Sequence, residues 1–553
     1  MIGIVTRAEE RDAAREFFEL FKTPWEFCRT DGRYEVVIDD GAALNHHRAK
    51  LVIIYGSQAT AFDHDRKNLP GPQRRETTLS YNGDRIPVYG GCVTFPSDGT
   101  SPPLVLEDTR ESVVSVTRAD GKIFVRIGYD LFREIGFLLT TGQPSAHAGI
   151  PTLERHIAFL RDCIVGAGIP LVEIPPIPAG YRFIVCLTHD VDHPSIRLHK
   201  FDHTMFGFLY RAVVGSLTGV CTRRTRPATL RRNWTAALLL PFVHLGWARD
   251  FWSGFDQYLE IEKGLGSTFF MIPVRNRPGR TADGEAPRMR ASSYGVSDIA
   301  RQVNTVVAAG GEVALHGIDA WLDSAAGSEE RELISCVTGT PTVGARMHWL
   351  FWDERAPEQL EKAGFHYDST FGYNDTVGFR AGTMQAFKPI TAGRLLELPL
   401  TVMDTALFYA SYLNLTQEAA KQVVHRFVDE AERYGGALTI NWHDRSLAPE
   451  RLWGGFYAEL IAELKRRAAW FPTGAQAVSW FRQRRSAVFD SVRWDGASVH
   501  VRASADCRED LPGLNVRVHT PWSTNGERPL PCHRPERFID LTFRDAVNAN
   551  VRL

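Results

Sequence analysis

The chain has 553 residues, too many for one ordinary hydrophobic core, so two or three domains are expected. Hydrophobic residues make up 44% and charged residues 23%, which is typical of a globular protein and excludes wholesale disorder. The 64 basic residues balance the 65 acidic ones to a net charge of −1, so the overall charge predicts no nucleic-acid partner.

Cysteines and apolar runs bear on where the protein works. The eight cysteines include no C-x-x-C pair, which argues against a zinc knuckle or redox dithiol and favours a reducing compartment. The first residues lack a basic region followed by a long apolar run, so we expect no secretory signal. The apolar run 204–220 is interrupted by Arg211, and the run 235–247 contains Pro241, so no membrane-spanning helix is expected. Together these features predict a cytoplasmic protein.

Residues 1–177 have the pattern of an α/β accessory domain. Short apolar runs at Met1–Thr6 and Leu51–Tyr55 are typical of buried strands, and Arg7–Lys22 has helical apolar spacing. A turn around Asp120-Gly121, between two strand-like segments, predicts a hairpin. The prolines of 174–178 then mark a domain boundary.

Residues 178–484 alternate strand and helix patterns. Seven apolar runs are interpreted as buried strands, namely Phe183–Leu187, Thr268–Ile272, Glu312–Leu315, Val343–Met347, Phe365–Tyr367, Leu395–Leu400 and Ala437–Asn441. Helical patterns such as Val296–Ala309 and Gln417–Tyr434 lie between most of them. Seven parallel strands with crossover helices predict an α/β fold, an incomplete (β/α)7 barrel.

Two segments depart from this alternation. Residues 199–250 form an insertion in which two apolar stretches flank a basic one containing Arg223, Arg224, Arg226, Arg231 and Arg232. We interpret it as a helical hairpin packed on the barrel; the alternative is an amphipathic element resting on an anionic membrane surface. Residues 485–553 contain short alternating runs such as Ser498–Val501 and Leu514–Val518, which predict a small C-terminal β module.

Polar side chains follow the predicted barrel strands at the point where each strand ends. They are Thr188-His189-Asp190-Val191-Asp192-His193, His316 with Asp319, Arg346-Met347-His348-Trp349, Asp368, and Trp442-His443-Asp444. Because function in such barrels collects at the carboxyl ends of the strands, acids, imidazoles and one arginine are predicted to converge on one rim.

Asp190 and Asp192 are the centre of this rim. Alternation along the strand directs both to the same side, where two ionised carboxylates repel unless a cation compensates. A divalent metal together with Arg346 would compensate them, and carboxylate and the imidazole of His316 are suitable zinc ligands. His443 could donate a proton to a leaving amine or oxygen. The structural alternatives are a helix-capping aspartate, a loop histidine, and a His443 packed on Trp442.

Four motifs resemble the polysaccharide deacetylase superfamily, also called the NodB-homology superfamily or carbohydrate esterase family four. They are Leu-Thr-His-Asp-Val-Asp-His at 187–193, Arg-x-His-Trp-Leu at 346–350, Tyr-Asp-Ser-Thr-x-Gly-Tyr at 367–373 and Gly-Phe-Arg-x-Gly-Thr at 378–383. The resemblance covers roughly residues 180–484 and is closest to a bacterial branch that carries the first of these motifs. It implies an incomplete barrel that removes acetyl groups from N-acetylated sugars. By this resemblance Asp190 would be the general base, Arg346 would orient it, and His443 would be the general acid.

The resemblance also implies a divalent metal, with zinc the expected ion, bound by Asp192 and His316. The family commonly has a second metal-binding histidine four residues after the first, but position 320 is Ala320. The candidates to replace it are Asp319, His348, His193 and His189. Asp319 is nearest in sequence, and His348 lies on the adjacent strand end.

Four further residues are predicted to meet the substrate. Asp368 and Arg380 lie in shared motifs and are interpreted either as a pair that binds sugar or tunes His443, or as a buried salt bridge. Trp349 and Trp442 are candidates to stack on sugar rings.

The function predicted from these residues is metal-dependent hydrolysis of carbon–nitrogen bonds other than peptide bonds. The substrate would be an N-acetylated sugar of a bacterial surface polysaccharide or its precursor. The alternative is an inactive barrel that binds glycan or scaffolds a polysaccharide assembly complex. A glycosidase is disfavoured because histidines, not paired carboxylates, dominate the rim. The expected location is cytoplasmic, and the alternative interpretation of 199–250 would add a peripheral membrane contact.

Overall fold

A computed structural model describes residues 1–40, 49–96, 103–221, 227–522 and 537–553. The first region contains β1 Ile2–Val5, α1 Arg11–Phe21, β2 Trp25–Phe27, β3 Val36–Asp39, β4 Leu51–Tyr55, α2 Ala61–Asp65, β5 Arg74–Tyr81, β6 Asp84–Cys92, β7 Leu104–Leu106, β8 Val114–Ala119, β9 Lys122–Ile127, α3 Leu131–Thr140, α4 Thr152–Gly166 and β10 Leu171–Glu173. Six strands form one sheet in the order β2-β1-β3-β4-β9-β8. The expected hairpin joins β8 to β9, and Asp120 and Gly121 of its turn both have positive φ.

The second region carries the barrel. Its elements are β11 Ile184–Val191, α5 His203–Tyr210, α6 Ser216–Cys221, α7 Pro227–His244, α8 Phe255–Ile261, β12 Ser267–Met271, β13 Arg280–Thr281, β14 Gly284–Glu285, α9 Ala300–Ala308, β15 Glu312–Gly317, α10 Ser324–Thr338, β16 Ala345–Met347, α11 Ala356–Lys362, β17 Tyr367–Asp368, β18 Leu396–Glu397, β19 Val402–Met403, α12 Asp404–Phe408, α13 Gln417–Tyr434, β20 Ala437–Asn441, α14 Gly454–Arg466 and α15 Gly474–Ser486. Eight parallel strands follow the order β18-β17-β16-β15-β12-β11-β20-β19. The predicted incomplete barrel is therefore confirmed.

The sixth predicted strand, Leu395–Leu400, is corrected by the structure. It is replaced by two short strands, β18 and β19, which lie at opposite edges of the sheet. Between them the backbone N–H of Leu398 binds the carbonyl of Asp368, and that of Thr401 binds the carbonyl of Thr439. The segment therefore crosses the gap of the open barrel, so it cannot pair as one continuous strand.

The insertion is a helical hairpin. Helix α5 continues through a π-helical turn at Arg211–Gly215 into α6, and α7 returns beside it. Among the described residues, the helix His203–Cys221 alone is long and apolar enough to cross a membrane by length and composition, and 28% of it is buried. The expected interruption at Arg211 does not occur, because the π-turn carries the helix past it. Arg223, Arg224 and Arg226 lie outside the described residues.

The last region is rich in strands, as predicted. It contains β21 Val488–Trp494, β22 Ser498–Ser504, β23 Leu514–His519, β24 Phe538–Phe543 and β25 Ala546–Arg552. Strands β21, β22 and β25 form one antiparallel sheet, while β23 pairs with β24 and with β10 of the first region. The domain boundaries at 177 and 484 stay predictions.

Candidate metal and catalytic site

Three ligand atoms meet at the carboxyl ends of β11, β15 and β16. Asp192 Oδ1 lies 3.4 Å from His316 Nε2 and 3.3 Å from His348 Nδ1, and the two ring nitrogens are 3.0 Å apart. A tetrahedral zinc ion with bonds of about 2.1 Å would separate its ligand atoms by about 3.4 Å. The three atoms therefore outline one face of a zinc coordination tetrahedron.

Hydrogen bonds on the far side of each imidazole set its tautomer. His316 Nδ1 lies 3.0 Å from the carbonyl of Arg346, and His348 Nε2 lies 3.1 Å from the carbonyl of Arg290. A carbonyl only accepts, so both of these nitrogens carry the proton and the facing nitrogens carry lone pairs. Burial lowers the pKa of His348, which keeps it neutral.

Without a cation these facing atoms would repel one another. Two imidazole lone pairs meet the Asp192 carboxylate, and Asp192 Oδ1 is buried with no hydrogen-bond partner among the described residues. An unpaired buried carboxylate oxygen is costly, and a divalent cation would compensate it. The donor set thus fits a zinc-type metal with one position open for water or substrate.

His348 stands where the missing second histidine is needed. His316 and Arg346 are register partners in β15 and β16, so a side chain two residues beyond Arg346 lies beside His316. Ala320 is instead buried in the barrel core.

The other three candidate ligands are not part of this group. The carboxylate of Asp319 accepts from Arg277 at 2.8 Å and from the backbone N–H of Arg280 at 2.7 Å, which corrects its prediction as a ligand. His189 contacts Glu262 at 2.9 Å and the carbonyl of Trp442, on the other side of the strand. His193 contacts the ring of His199.

Asp190 is placed beside the metal group as an ionised carboxylate. Its Oδ1 accepts a hydrogen bond from Arg346 at 3.0 Å, and its Oδ2 accepts one from the side-chain amide of Asn441 at 2.8 Å. Oδ2 also lies 3.9 Å from His316 Nε2. Burial disfavours the charge, but the guanidinium of Arg346 and the imidazolium of His443 oppose that effect, and the pKa of Asp190 is lowered. An ionised, oriented carboxylate at this point can accept a proton.

Arg346 is fixed by its surroundings. Its guanidinium donates to the carbonyl and hydroxyl of Ser369 and to the hydroxyl of Thr188, and it lies 4.3 Å from the ring centroid of Phe270. It can therefore hold Asp190 in one orientation.

His443 faces the same group from the end of β20. Its Nδ1 lies 2.6 Å from Asp404 Oδ1, its backbone N–H donates to Asp404 Oδ2, and its Nε2 lies 3.9 Å from Asp192 Oδ2. Burial disfavours the imidazolium, but the Asp404 carboxylate outweighs it and raises the pKa of His443 to about 10. The ring is therefore a protonated donor with Nε2 directed at the metal group.

Asp404 and Asn441 contribute to the site but were not predicted from the sequence. Asp404 follows the two-residue strand β19, and Asn441 ends β20 two residues before His443. Strand alternation places Asn441 and His443 on one side, a signal that could have identified Asn441.

The metal group lies on the wall of a cavity of about 570 Å³. Asp190, Asp192, His316, His348 and His443 all lie on its wall. Trp349, which has a left-handed backbone and is 38% exposed, lies there as well, a position compatible with its predicted role in stacking.

Trp442 is corrected. It is fully buried and stacks on Phe456 and Tyr457, because the alternation that directs His443 into the cavity directs its neighbour into the core.

Asp368 and Arg380 do not line this cavity, which corrects their predicted contact with substrate. Asp368 accepts from Ser369 and Thr370, and Arg380 donates to the carbonyl of Gly372. Neither predicted form of an Asp–Arg pair is found, because each side chain is bonded within the loop after β17.

Comparison with known proteins gives matches only among solved structures. No family model matches the sequence, and no curated protein matches it. A protein assigned as a polysaccharide deacetylase from Mycobacterium smegmatis is 20% identical over 56% of this chain and 95% of its own, with a TM-score of 0.34. One so assigned from Pseudomonas aeruginosa is 17% identical over 56% and 94%, and an allantoinase is 17% identical over 56% and 93%, each with a TM-score of 0.35.

Proposed function

We propose that the protein is a metal-dependent hydrolase that removes an acetyl group from an N-acetylated sugar of a bacterial surface polysaccharide or its precursor. The observation that carries this proposal is the meeting of Asp192, His316 and His348 with Asp190 and His443 on one cavity wall. A zinc ion bound there would supply Lewis-acid polarisation of the amide carbonyl and of the attacking water.

The chain's own residues supply the proton transfers. Asp190 takes a proton from the attacking water, and Arg346 and Asn441 keep its carboxylate ionised and oriented. His443 gives its Nε2 proton to the sugar nitrogen as the carbon–nitrogen bond breaks, and Asp404 stabilises the imidazolium beforehand. Water adds to the carbonyl carbon, so the products are acetate and a free amino sugar.

The alternative, an inactive glycan-binding or scaffolding barrel, is supported less. It rests on the absence of a second metal-binding histidine at Ala320. His348 lies within ligand distance of Asp192 and His316 and supplies an equivalent donor.

Release of acetate from N-acetylglucosamine oligomers by the zinc-loaded protein tests the proposal. Asp190→Asn and His443→Gln should each lower kcat by about 10²-fold or more, the usual effect of losing a general base or acid. The matched control is His425→Gln, a histidine on α13 that pairs with Glu463. If a panel of N-acetylated sugars yields no acetate while the protein binds one zinc ion and the sugar, the glycan-binding alternative replaces this proposal.

We further propose that the helical hairpin rests on an anionic membrane surface. Its inner stripe, including Met205, Phe208, Leu240 and Val243, is buried in a core of its own. A second apolar stripe points outward on each helix and is exposed; it comprises Phe206, Tyr210, Val213, Leu217, Trp234, Leu238, Phe242 and Leu245. The spacing of three and four residues makes each row continuous. We call these eight residues the outer stripe.

Basic side chains near the outer stripe favour a membrane over an apolar protein partner. Lys200, Arg231, Arg232 and Arg249 are exposed on this insertion. An apolar face bordered by cations is the pattern of an interfacial helix on anionic lipid.

Co-sedimentation with phosphatidylglycerol-containing vesicles tests this contact. The double variant Leu238→Glu/Phe242→Glu should remain in the supernatant, because it places two charges in the bilayer interface. Val307→Glu, which alters an exposed apolar residue on α9, should sediment as the wild type does. Equal sedimentation of all three proteins would contradict membrane contact through the hairpin.

A further inference from the structure

Three arginines line the cavity beside the proposed proton donor. Arg445 lies two residues after His443, Arg451 is in the same loop, and Arg211 comes from the π-helical turn of the hairpin. Burial and then the charges of its neighbours Arg445 and Arg451 lower the pKa of Arg211, and Arg451 acts likewise on Arg445. Their shared position on the wall of one cavity, together with this electrostatic effect, makes the three arginines one cationic group.

Two of these arginines make contacts that fix the side chain but leave its positive charge unpaired. Arg445 lies 4.8 Å from the ring centroid of Trp252, and Arg451 donates to the hydroxyl of Tyr409. Arg445 Nε is buried and has no hydrogen-bond partner among the described residues.

Two carboxylates, Glu450 and Asp444, lie near the three arginines but do not pair with all of their charges. Glu450 lies within electrostatic range of all three arginines, yet both of its carboxylate oxygens lack a hydrogen-bond partner among the described residues. Asp444 acts on Arg445, but one of its oxygens accepts from the backbone of His193. Burial favours the neutral form of both carboxyls by raising their pKa. The cluster keeps an excess of positive charge and a free donor.

Several guanidiniums on one cavity wall, one of them with an unpaired buried donor, match the charge and hydrogen-bonding needs of a phosphate group. The helix that supplies Arg211 also connects the cavity to the proposed membrane surface. His203, Thr204 and Arg211 lie on the cavity wall, whereas Phe206 and Tyr210 of the same helix are exposed and belong to the outer stripe. A phosphate at the arginines would therefore lie between the acyl site and the bilayer.

Building on the proposed deacetylation, we propose that the substrate is an N-acyl sugar joined through phosphate to a lipid chain. Arg211, Arg445 and Arg451 bind the phosphate, the acyl group faces Asp190 and His443, and the lipid chain leaves along the outer stripe. The cavity thus acts on a membrane-held precursor and not on a finished polymer.

Calorimetric titration of methyl phosphate into the zinc-loaded protein tests the anion site. Arg445→Gln and Arg451→Gln should each weaken binding at least about 10-fold, the effect of losing a charge-assisted hydrogen bond. Arg232→Gln, an exposed arginine on α7 outside the cavity, should leave it unchanged. Asp192→Asn should bind methyl phosphate as the wild type does, because Asp192 pairs with His316, His348 and His443 and with none of the three arginines. Binding lost in Asp192→Asn but kept in both arginine variants would overturn the proposal and place the phosphate on the metal.

Decyl phosphate, used below its micellar concentration, distinguishes a lipid from a soluble phosphate. It should bind at least about 10-fold more tightly than methyl phosphate, and Phe206→Ser/Tyr210→Ser should remove that gain, because these side chains border the exit. Equal affinities for the two probes would overturn the lipid assignment and indicate a soluble sugar phosphate. The measurement needs no turnover, so Asp190→Asn should bind both probes normally even if acetate release fails. Circular dichroism melting confirms that each variant is folded.

Discussion

His348 is the residue on which the proposed metal binding most depends. Asp192 and His316 alone would offer two ligands, too few to hold zinc tightly, and the third comes from a strand end thirty-two residues further along the chain. Loss of an outer hydrogen-bond partner of a ligand usually lowers metal affinity by roughly 10- to 100-fold. His348→Ala removes a ligand itself, so it should lower the affinity for zinc by more than that. Elemental analysis after dialysis measures this. His193→Ala, in the same cavity but bonded to His199, should retain one zinc per chain. Equal zinc in both variants would contradict the assigned ligand set.

The pair of His443 and Asp404 predicts the pH dependence of turnover. The acid must be protonated, so activity is lost as pH rises through its pKa, which Asp404 raises. Asp404→Asn removes that carboxylate charge, and the basic limb of the kcat profile should move to lower pH. Asp375→Asn, an exposed residue, serves as the control. A basic limb unchanged in Asp404→Asn would mean that another group donates the proton.

Strand-end reasoning identified the residues that lie nearest the proposed reaction, because parallel strands bring their carboxyl ends to one rim whatever the loops between them do. Asp190, Asp192, His316, His348 and His443 all lie there. The same reasoning failed for Trp442, where the two-residue alternation of the strand decides which neighbour faces the core. It missed Asp404, because a strand of two residues, β19, leaves no periodicity to read.

At the scale of elements, the strand pair β17 and β18 carries two opposed acids. Asp368 and Glu397 are register partners and both are buried. Burial and mutual repulsion raise the pKa of Glu397 well above its usual range, and burial raises that of Asp368 to about 6. The pair therefore shares a proton that the unfolded chain would release.

This shared proton predicts how stability changes with pH. A pKa raised in the folded state means that the folded protein binds more protons, so stability falls as pH rises above the unfolded value of about 4.5. Glu397→Gln keeps a hydrogen-bond donor but removes the titration. Between about pH 5 and pH 8, the Tm of Glu397→Gln should therefore fall by a few degrees less than the Tm of the wild type does. Glu329→Gln, exposed on α10, should follow the wild-type curve. Parallel curves for Glu397→Gln and the wild type would show that the pair holds no extra proton.

At the scale of the whole molecule, the three regions interlock. Strand β10, from the first region, pairs with β23 of the last, and Arg485 of α15 bonds to the buried Glu16 of α1. The sequence predicts boundaries between the regions, but it gave no prediction of how the regions contact one another. Contacts such as these link residues more than 300 positions apart, and local periodicity carries no information about them.

Substitution of Arg484 tests how strongly the first region is held to the barrel region. It is fully buried at the end of the barrel region, and its guanidinium donates to the carbonyls of Ile174, Glu19 and Leu20. Arg484→Met would leave three buried acceptors unpaired, at a cost of about 1–3 kcal/mol each. We expect a lower Tm and, in scanning calorimetry, a separate early transition for the first region.

Arg466→Met, an exposed arginine on α14, controls for the change of side chain. Because Arg484 is not on the cavity wall, acetate release well below the transition should be unchanged in Arg484→Met. A single undisturbed transition would show that the β10–β23 pairing alone joins the regions. A loss of activity at low temperature would instead mean that the first region positions the catalytic rim, through contacts such as the hydrogen bond from the backbone N–H of Gln143 to the carbonyl of Arg380.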